Sequence, residues 1–390
     1  MFSRHARIIW SGGLLLGLAL EVYFPPLNGL RRLLVDMLAL GALALAIAAW
    51  TPAAPDVQPV PAPPASVQDT PVQYTGRPPR PARFEMSWTP QDVVVPRFGE
   101  GSAAHRAPWR LPREPAVSPG LAADEASLGD LTVRAASIVG PSHRCEDPAG
   151  VREDAYRIAR DRTGDHLVVA VADGVSSSGH SAFGATVAVG TAVHVLLDRL
   201  RSVGGPRALD AVDVFGTVAE RMRQEALDRG WDPAETAAVL VVAVLPTRPG
   251  QDGMRPLWTA SVGDVSVWCL GEAGWIRAQG DEKGEADGIS GNEVRNYLPD
   301  RPGTPTETVW TVGAGTVFAL VTDGVGDGLE GLPALNVHLS EAWATPPSLS
   351  AFVGQVGYDA KRFLDDRTAV TVWVAPQPPR PARGSRDDRS

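Results

Sequence analysis

Cysteine is almost absent: the 390 residues contain two, Cys145 and Cys269. Two thiols cannot build a disulfide framework or a four-cysteine zinc site. Lysine is as scarce, at 283 and 361 only, so basic charge is almost all arginine. A positive excess is missing too, since the formal charge is −9. Residues 1–130 are balanced, with 11 basic and 11 acidic side chains, and the tail 376–390 carries +2. The negative excess therefore sits in 131–375, where 21 basic side chains face 32 acidic ones. That balance repels a polyanion, so no nucleic-acid partner is expected, and it favours bound divalent cations.

What is present falls into three parts. Residues 8–24 and 33–50 are apolar stretches near the length of a bilayer span, each carrying one acid, Glu21 and Asp36. They fit a membrane hairpin, or a cleaved signal peptide followed by one anchor. No small-x-small cleavage site precedes the second stretch, which favours the hairpin, so residues 1–50 are expected to anchor the chain through two transmembrane helices. In a hairpin the N-terminus and everything after Thr51 share one side. Arg4 and Arg7 argue for that side being cytoplasmic, and Arg31 and Arg32 argue against it. The expected location is the cell membrane with the rest of the chain in the cytoplasm, where proteins with few cysteines are at home. Residues 51–130, studded with proline as far as about 120, are expected to form an extended spacer, and 376–390 a disordered tail.

From Leu131 the texture changes to apolar runs. Leu131–Val139, Ala155–Arg160, His166–Ala172, Thr236–Leu245, Leu257–Val262, Val265–Leu270, Thr316–Thr322 and Thr368–Val374 are expected strands. Gly263-Asp264 is expected to close a hairpin between two of them. Helical spacing fits Ala182–Arg201, Ala208–Arg229 and Ser348–Gly357. Residues 131–375 are thus expected to form an α+β domain of sheets covered by helices.

Acids recur at strand tips. Asp173 ends HLVVAVAD and precedes Gly174, Asp323 ends VFALVTD and precedes Gly324, and Asp365 and Asp366 come just before TAVTVWV. Asp-Gly is a common turn pair, and each taken alone is a turn more often than a ligand. Two such pairs after apolar strands, with Glu153-Asp154 and Gly263-Asp264, point to a shared site. Like charges gathered at one strand end repel unless a cation neutralises them, and an all-oxygen set suits Mg²⁺ or Mn²⁺.

The order of motifs goes further. VREDAY (151–156), VVAVADGVSSSGH (168–180), ETAAVLVVAVL (235–245), TASVGDVSVWCL (259–270), FALVTDGVGDGL (318–329) and DDRTAVTVWV (365–374) follow one another. Together, over about 131–375, they resemble the PP2C-like (PPM) metal-dependent Ser/Thr protein phosphatases. The resemblance implies an α/β/β/α sandwich of two antiparallel sheets flanked by helices, with a two-metal centre at one end. By motif position, Asp173 resembles the carboxylate bridging both ions, and Asp323 and Asp365 resemble ligands of one of them. Glu153 resembles a ligand of the other ion, helped by the Gly174 carbonyl. Asp154 is either outside the ligand set or exchanges roles with Glu153. Asp264, with Asp323, matches the acid of a weaker third ion in some relatives. Implied partners are proteins phosphorylated on Ser or Thr and a cognate Ser/Thr kinase pathway.

His143, in GPSHRCED, is the candidate acid for the leaving group, by nearness to the metal motif. The arginine that usually precedes the Glu-Asp pair and holds phosphate has no clean match. Arg152 and Arg144 are the nearby candidates, and each reads equally as structural. The common Gly-Asp-Ser-Arg turn is Gly263-Asp264-Val265-Ser266 here. These departures leave a second reading open, a catalytically weak family member that binds phosphorylated partners at the membrane. An Asp-nucleophile phosphatase would want a second Asp at 175, which is Val, and GHS around His180 is not a G-x-S-x-G elbow.

Overall fold

The computed structural model describes residues 95–100, 110–112, 118–145, 149–281, 285–286, 289–290 and 296–376. The expected membrane anchor, most of the spacer and the tail beyond 376 lie outside the described residues.

The described residues begin with β1 (Arg97–Phe98), β2 (Leu121–Leu128), β3 (Leu131–Ile138), α1 (Pro141–Cys145), β4 (Ala155–Arg160) and β5 (His166–Gly174). Two long helices follow, α2 (Ser181–Val203) and α3 (Ala211–Asp228). Then come β6 (Ala238–Pro246), β7 (Arg255–Val262), β8 (Ser266–Gly271), β9 (Gly274–Gln279) and the short pair β10 (Glu285–Ala286) and β11 (Ile289–Ser290). The last third holds β12 (Thr306–Val312), β13 (Val317–Val321), α4 (Asp323–Gly331), α5 (Pro333–Ala342), α6 (Leu349–Val356), β14 (Asp359–Ala360) and β15 (Arg367–Val374).

Two antiparallel sheets carry the domain, one of five strands ordered β12-β7-β6-β5-β4 and one of six ordered β2-β3-β15-β13-β8-β9. Strand alternation shows why the apolar runs are continuous. In β5, Val168, Ala170 and Ala172 pack under α2 and α3, while Leu167, Val169 and Val171 point into the space between the sheets. In β13, Phe318 and Leu320 fill that same space and Val317, Ala319 and Val321 face the second helical layer, α4 to α6. A strand buried on both faces has no polar side to alternate with. The result is the expected sandwich of helices, sheet, sheet and helices.

Helix α2 is the one described helix long and apolar enough to cross a membrane, and 56% of its most apolar window is buried. Ala185, Ala188, Val189, Ala192, Val193 and Leu196 of this helix lie in the core against the five-stranded sheet, which accounts for its apolar composition. In the other helical layer Trp343 is fully buried between Trp275, at 5.7 Å, and Phe352, at 4.8 Å between ring centroids. Its indole nitrogen donates to Gln355 Oε1 over 2.8 Å. Trp343→Ala is expected to cost about 3–5 kcal/mol, read as a lowered midpoint in urea unfolding.

Two expectations need correction. The Gly263-Asp264 turn does not close a hairpin, because β7 belongs to the five-stranded sheet and β8 to the six-stranded one. The turn is a corner that carries the chain between sheets. Gly263 takes φ +85°, and a Cβ there would come within 2.2 Å of Val239 Cγ1, so only glycine fits. The spacer does not run to 130 either. Leu121–Leu128 is a strand paired along its whole length with β3, and Arg97–Phe98 pairs in parallel with Asp359–Ala360.

Candidate metal centre

Strand register draws the acids to one end of the sandwich. β4 pairs with β5 so that Ala155 faces Ala172, which brings the residue before β4, Asp154, level with Asp173. β13 pairs with β15 so that Val321 faces Ala369, and the pairing continues beyond the strands through Thr322 N–H to Thr368 O, 3.1 Å. Asp323 and Asp366 thus leave neighbouring strands at the same edge.

Asp154 fastens the two sheets together. It is 2% exposed, and its Oδ2 accepts from Thr322 Oγ1 at 2.8 Å and from Thr368 Oγ1 at 2.7 Å. Ser137 Oγ lies 2.6 Å from Thr368 Oγ1 and extends the layer. Asp366 does the same for the loops. Its Oδ1 accepts Gly140 N–H at 2.6 Å and lies 3.0 Å from His143 Nδ1, while its Oδ2 accepts Glu153 N–H at 2.6 Å. One buried carboxylate therefore fixes α1, the Glu153 backbone and the loop that carries Asp365. Glycine makes the approach possible: a Cβ at 140 would lie 2.3 Å from the Asp365 backbone, and one at 324 would lie 1.9 Å from Asp366 O.

Crowding shows in the ionisation of these groups. Burial pushes Asp173 well above the usual carboxylate range, and the charges of Asp154, Asp323, Asp365 and Asp264 add to it. Asp154 is raised by burial and by Asp366, against the pull of its two threonine hydroxyls. Burial raises Glu153 despite hydrogen bonds from Ser176 and Ser181. Asp365 is pushed up to about 6 by burial and by Asp323. His143 goes the other way in charge: its bond to Asp366 raises it to about 9, which makes the ring a cation at neutral pH.

Of the expected residues, then, Glu153, Asp154, Asp173, Asp264, Asp323 and Asp365 form one electrostatic neighbourhood, with His143 at its edge. Gly174 closes β5 beside Ser181, whose backbone would lie 2.8 Å from a Cβ at 174. Arg152 is a correction. It is 5% exposed, and its guanidinium donates to Pro119 O at 2.9 Å, to Asp154 O at 2.9 Å and to Ser137 Oγ. An arginine committed to that inner layer cannot reach a substrate phosphate. Sequence reading missed Asp366, Thr322, Thr368, Ser176 and Ser181 as supports. The only signal was position: Asp366 sits where a second acid follows Asp365 immediately before a strand.

The donor set suits a hard cation. Glu153 Oε2 and Asp154 Oδ1 are buried without a hydrogen-bond donor, an arrangement that costs free energy unless a cation sits nearby. Oxygen donors dominate, which matches Mg²⁺ or Mn²⁺. Among the described residues His143, Asp365 and Asp366 form a trio whose candidate ligand atoms lie within 4.8 Å of one another. In that trio His143 and Asp366 are already joined, so it reads as a hydrogen-bonded ion pair next to the other acids.

A family model described as Protein phosphatase 2C matches residues 139–349, more than half of the chain. No curated protein matches. Among solved structures, RsbX in complex with magnesium is 14% identical at a TM-score of 0.44, over 65% of this chain and all of its own. The S. agalactiae serine/threonine phosphatase is 14% identical at 0.44, over 63% of this chain and 99% of its own. The catalytic domain of the serine threonine protein phosphatase PstP, in complex with 2 manganese ions, is 20% identical at 0.41, over 63% and 98%.

Proposed function

The chain belongs to the protein phosphatase 2C family, and from that premise we infer that it hydrolyses phosphoserine and phosphothreonine in proteins with two divalent cations, Mn²⁺ or Mg²⁺. The observation that carries this reading is the ring of carboxylates at one sheet end, with buried oxygens of Glu153 and Asp154 left without donors. Asp173, Asp323 and Asp365 would hold one ion. Asp173, Glu153 and the Gly174 carbonyl would hold the other, and Asp264 with Asp323 a weaker third. When bound, the ions supply an activated water for in-line attack and offset charge on the phosphoryl oxygens.

The chain's own residues do the rest. Asp154 locks the sheet ends so that the acids keep their spacing. Asp366 holds His143 through Nδ1, which leaves Nε2 as the atom to deliver a proton. The phosphorus–oxygen bond to the serine or threonine breaks as water's oxygen bonds to phosphorus, and His143 protonates the departing alkoxide. The same imidazolium offers phosphate the positive charge that Arg152 cannot. His143→Gln is expected to lower turnover of phosphopeptides about 100-fold. On p-nitrophenyl phosphate, whose leaving group needs no proton, the loss should be far smaller. Equal losses on both substrates would sink the acid role.

The reading is tested by assaying the full chain against a phosphopeptide panel with Mn²⁺ and then with a chelator. Turnover that chelation stops supports it, and turnover that survives removal of all divalent ions contradicts it. One observation favours the second reading, binding without turnover: the arginine nearest the Glu-Asp pair is taken up inside the domain. Phosphopeptides bound by the Mn²⁺-loaded chain yet never hydrolysed would decide for it. Residues 1–50 are taken as a membrane anchor that keeps the domain on the cytoplasmic face, opposite a Ser/Thr kinase. A reporter fused after Ala375 tests that side.

A further inference from the structure

Strand β1 is the first described strand, and it pairs with β14, a few residues before Asp365. It runs parallel to β14, with Asp359 N–H donating to Pro96 O over 2.7 Å. Arg97 Nε donates to Asp359 Oδ2 at 2.8 Å, and Lys361 Nζ lies 2.8 Å from Glu100 Oε2. Phe98 sets its ring edge-on to Tyr358, 6.2 Å between centroids, and to His338, 5.7 Å.

Tyr358 links this surface strand to the site. It is fully buried, and its hydroxyl donates to Gly324 O at 2.8 Å, on the residue after Asp323. Gly324 and Gly328 stand one turn apart on α4, and a Cβ at 328 would come within 2.2 Å of the Tyr358 hydroxyl, so glycine there admits the ring. On its other side the Tyr358 ring lies 4.2 Å from the guanidinium of Arg367, two residues after Asp365. One side chain thus touches the helix that begins with Asp323 and the strand that follows Asp365.

We propose that β1 is a strap that presses Tyr358 against the first turn of α4, and that Tyr358 is a positioning residue for the cation held by Asp323 and Asp365. The inference rests on the metal-dependent reading above for its ligand, and on hydrogen bonds and packing alone for its coupling. Supports one contact away from metal ligands commonly change affinity 10- to 100-fold when removed.

The test uses the full chain, with Mn²⁺ affinity by calorimetry and amide exchange of residues 323–331 in the absence of metal. Tyr358→Phe, which keeps the ring and loses the hydroxyl, is expected to weaken Mn²⁺ about 10-fold. Phe98→Ala should weaken it several-fold and speed exchange in α4, while Phe98→Tyr should leave both unchanged. The double variant Phe98→Ala/Tyr358→Phe should lose less than the two single losses combined, because both act on one contact. Unchanged Mn²⁺ affinity and unchanged exchange in Phe98→Ala would overturn the strap, and fully additive losses would overturn its route through Tyr358. If the wild-type chain binds no Mn²⁺ at all, the metal reading fails instead, and exchange in α4 alone decides the strap.

Discussion

Asp173→Asn is expected to abolish Mn²⁺-dependent phosphatase activity and, at the same time, to stabilise the metal-free protein. The two effects have one cause. Asp173 sits at the tip of β5, where burial and the charges of Asp154, Asp323, Asp365 and Asp264 all oppose its ionisation. With cations present that charge is the ligand both ions would share, and losing it removes several kcal/mol of transition-state stabilisation, on the order of 10³-fold in rate. Without cations the same charge is a burden, and a neutral amide of the same shape relieves it. Activity assays paired with thermal melts in chelator check both halves. A variant that is inactive because it is less stable in chelator would argue that Asp173 is structural.

Metal-free protein should lose stability as pH rises from about 4 to 9, and Mn²⁺ should restore more of it the higher the pH. Asp365, raised to about 6, stays protonated in the fold at pH values where the unfolded chain has released its proton. Asp173, Asp154 and Glu153 are raised in the same direction. Stability from these acids is fully present below the ordinary carboxylate range and is lost as pH climbs through their folded values. His143 adds to the trend: raised to about 9, it contributes stability that is complete below its ordinary value of 6.5 and fades as pH approaches 9. Mn²⁺ replaces the missing protons, and at 100 times its dissociation constant it contributes about 2.7 kcal/mol. For a domain of this size that is a rise in Tm of about 5–10 °C. Melts between pH 5 and 8, with chelator and with Mn²⁺, measure this directly. A Tm in chelator that climbs with pH would contradict it.

Most of the strands legible in the sequence are those buried on both faces. β3, β5, β6, β13 and β15 are readable nearly to the residue, because a strand between two apolar layers is an uninterrupted apolar run. The edge strand β4 (AYRIAR) is readable for another reason, the alternation of Tyr156 and Ile158, which pack between the sheets, with the exposed Arg157. Besides the two-residue strands β1, β10, β11 and β14, the missed strands are β2, β9 and β12, which lie at the edges of the two large sheets. β12 (TETVWTV) keeps one face exposed and mixes threonine and glutamate with its apolar residues, which gives no run to find. α4 was hidden by its glycines, which serve close packing against Asp366 O, Ser266 and Tyr358 at the expense of helix propensity.

Legibility of the site divided in the same way. Acids at strand tips could be picked out because the strands were visible, and register then gathered them. Contacts that depend on which way a loop side chain turns could not be read. Arg152 and Glu153 are adjacent, yet the arginine turns into the Ser137 layer while Glu153 meets Ser176 and Ser181. Asp366 looks like a duplicate of Asp365 in sequence. Only the paths of β3, α1 and β15 bring Gly140, His143 and Glu153 to its two oxygens.

The most direct measurement is calorimetric titration of Mn²⁺ into the metal-stripped full chain, beside Asp173→Asn. The account predicts two ions per wild-type chain, taken up with release of protons, and loss of both in the variant. Failure of the wild-type chain to bind Mn²⁺ or Mg²⁺, or binding that Asp173→Asn leaves untouched, would contradict it.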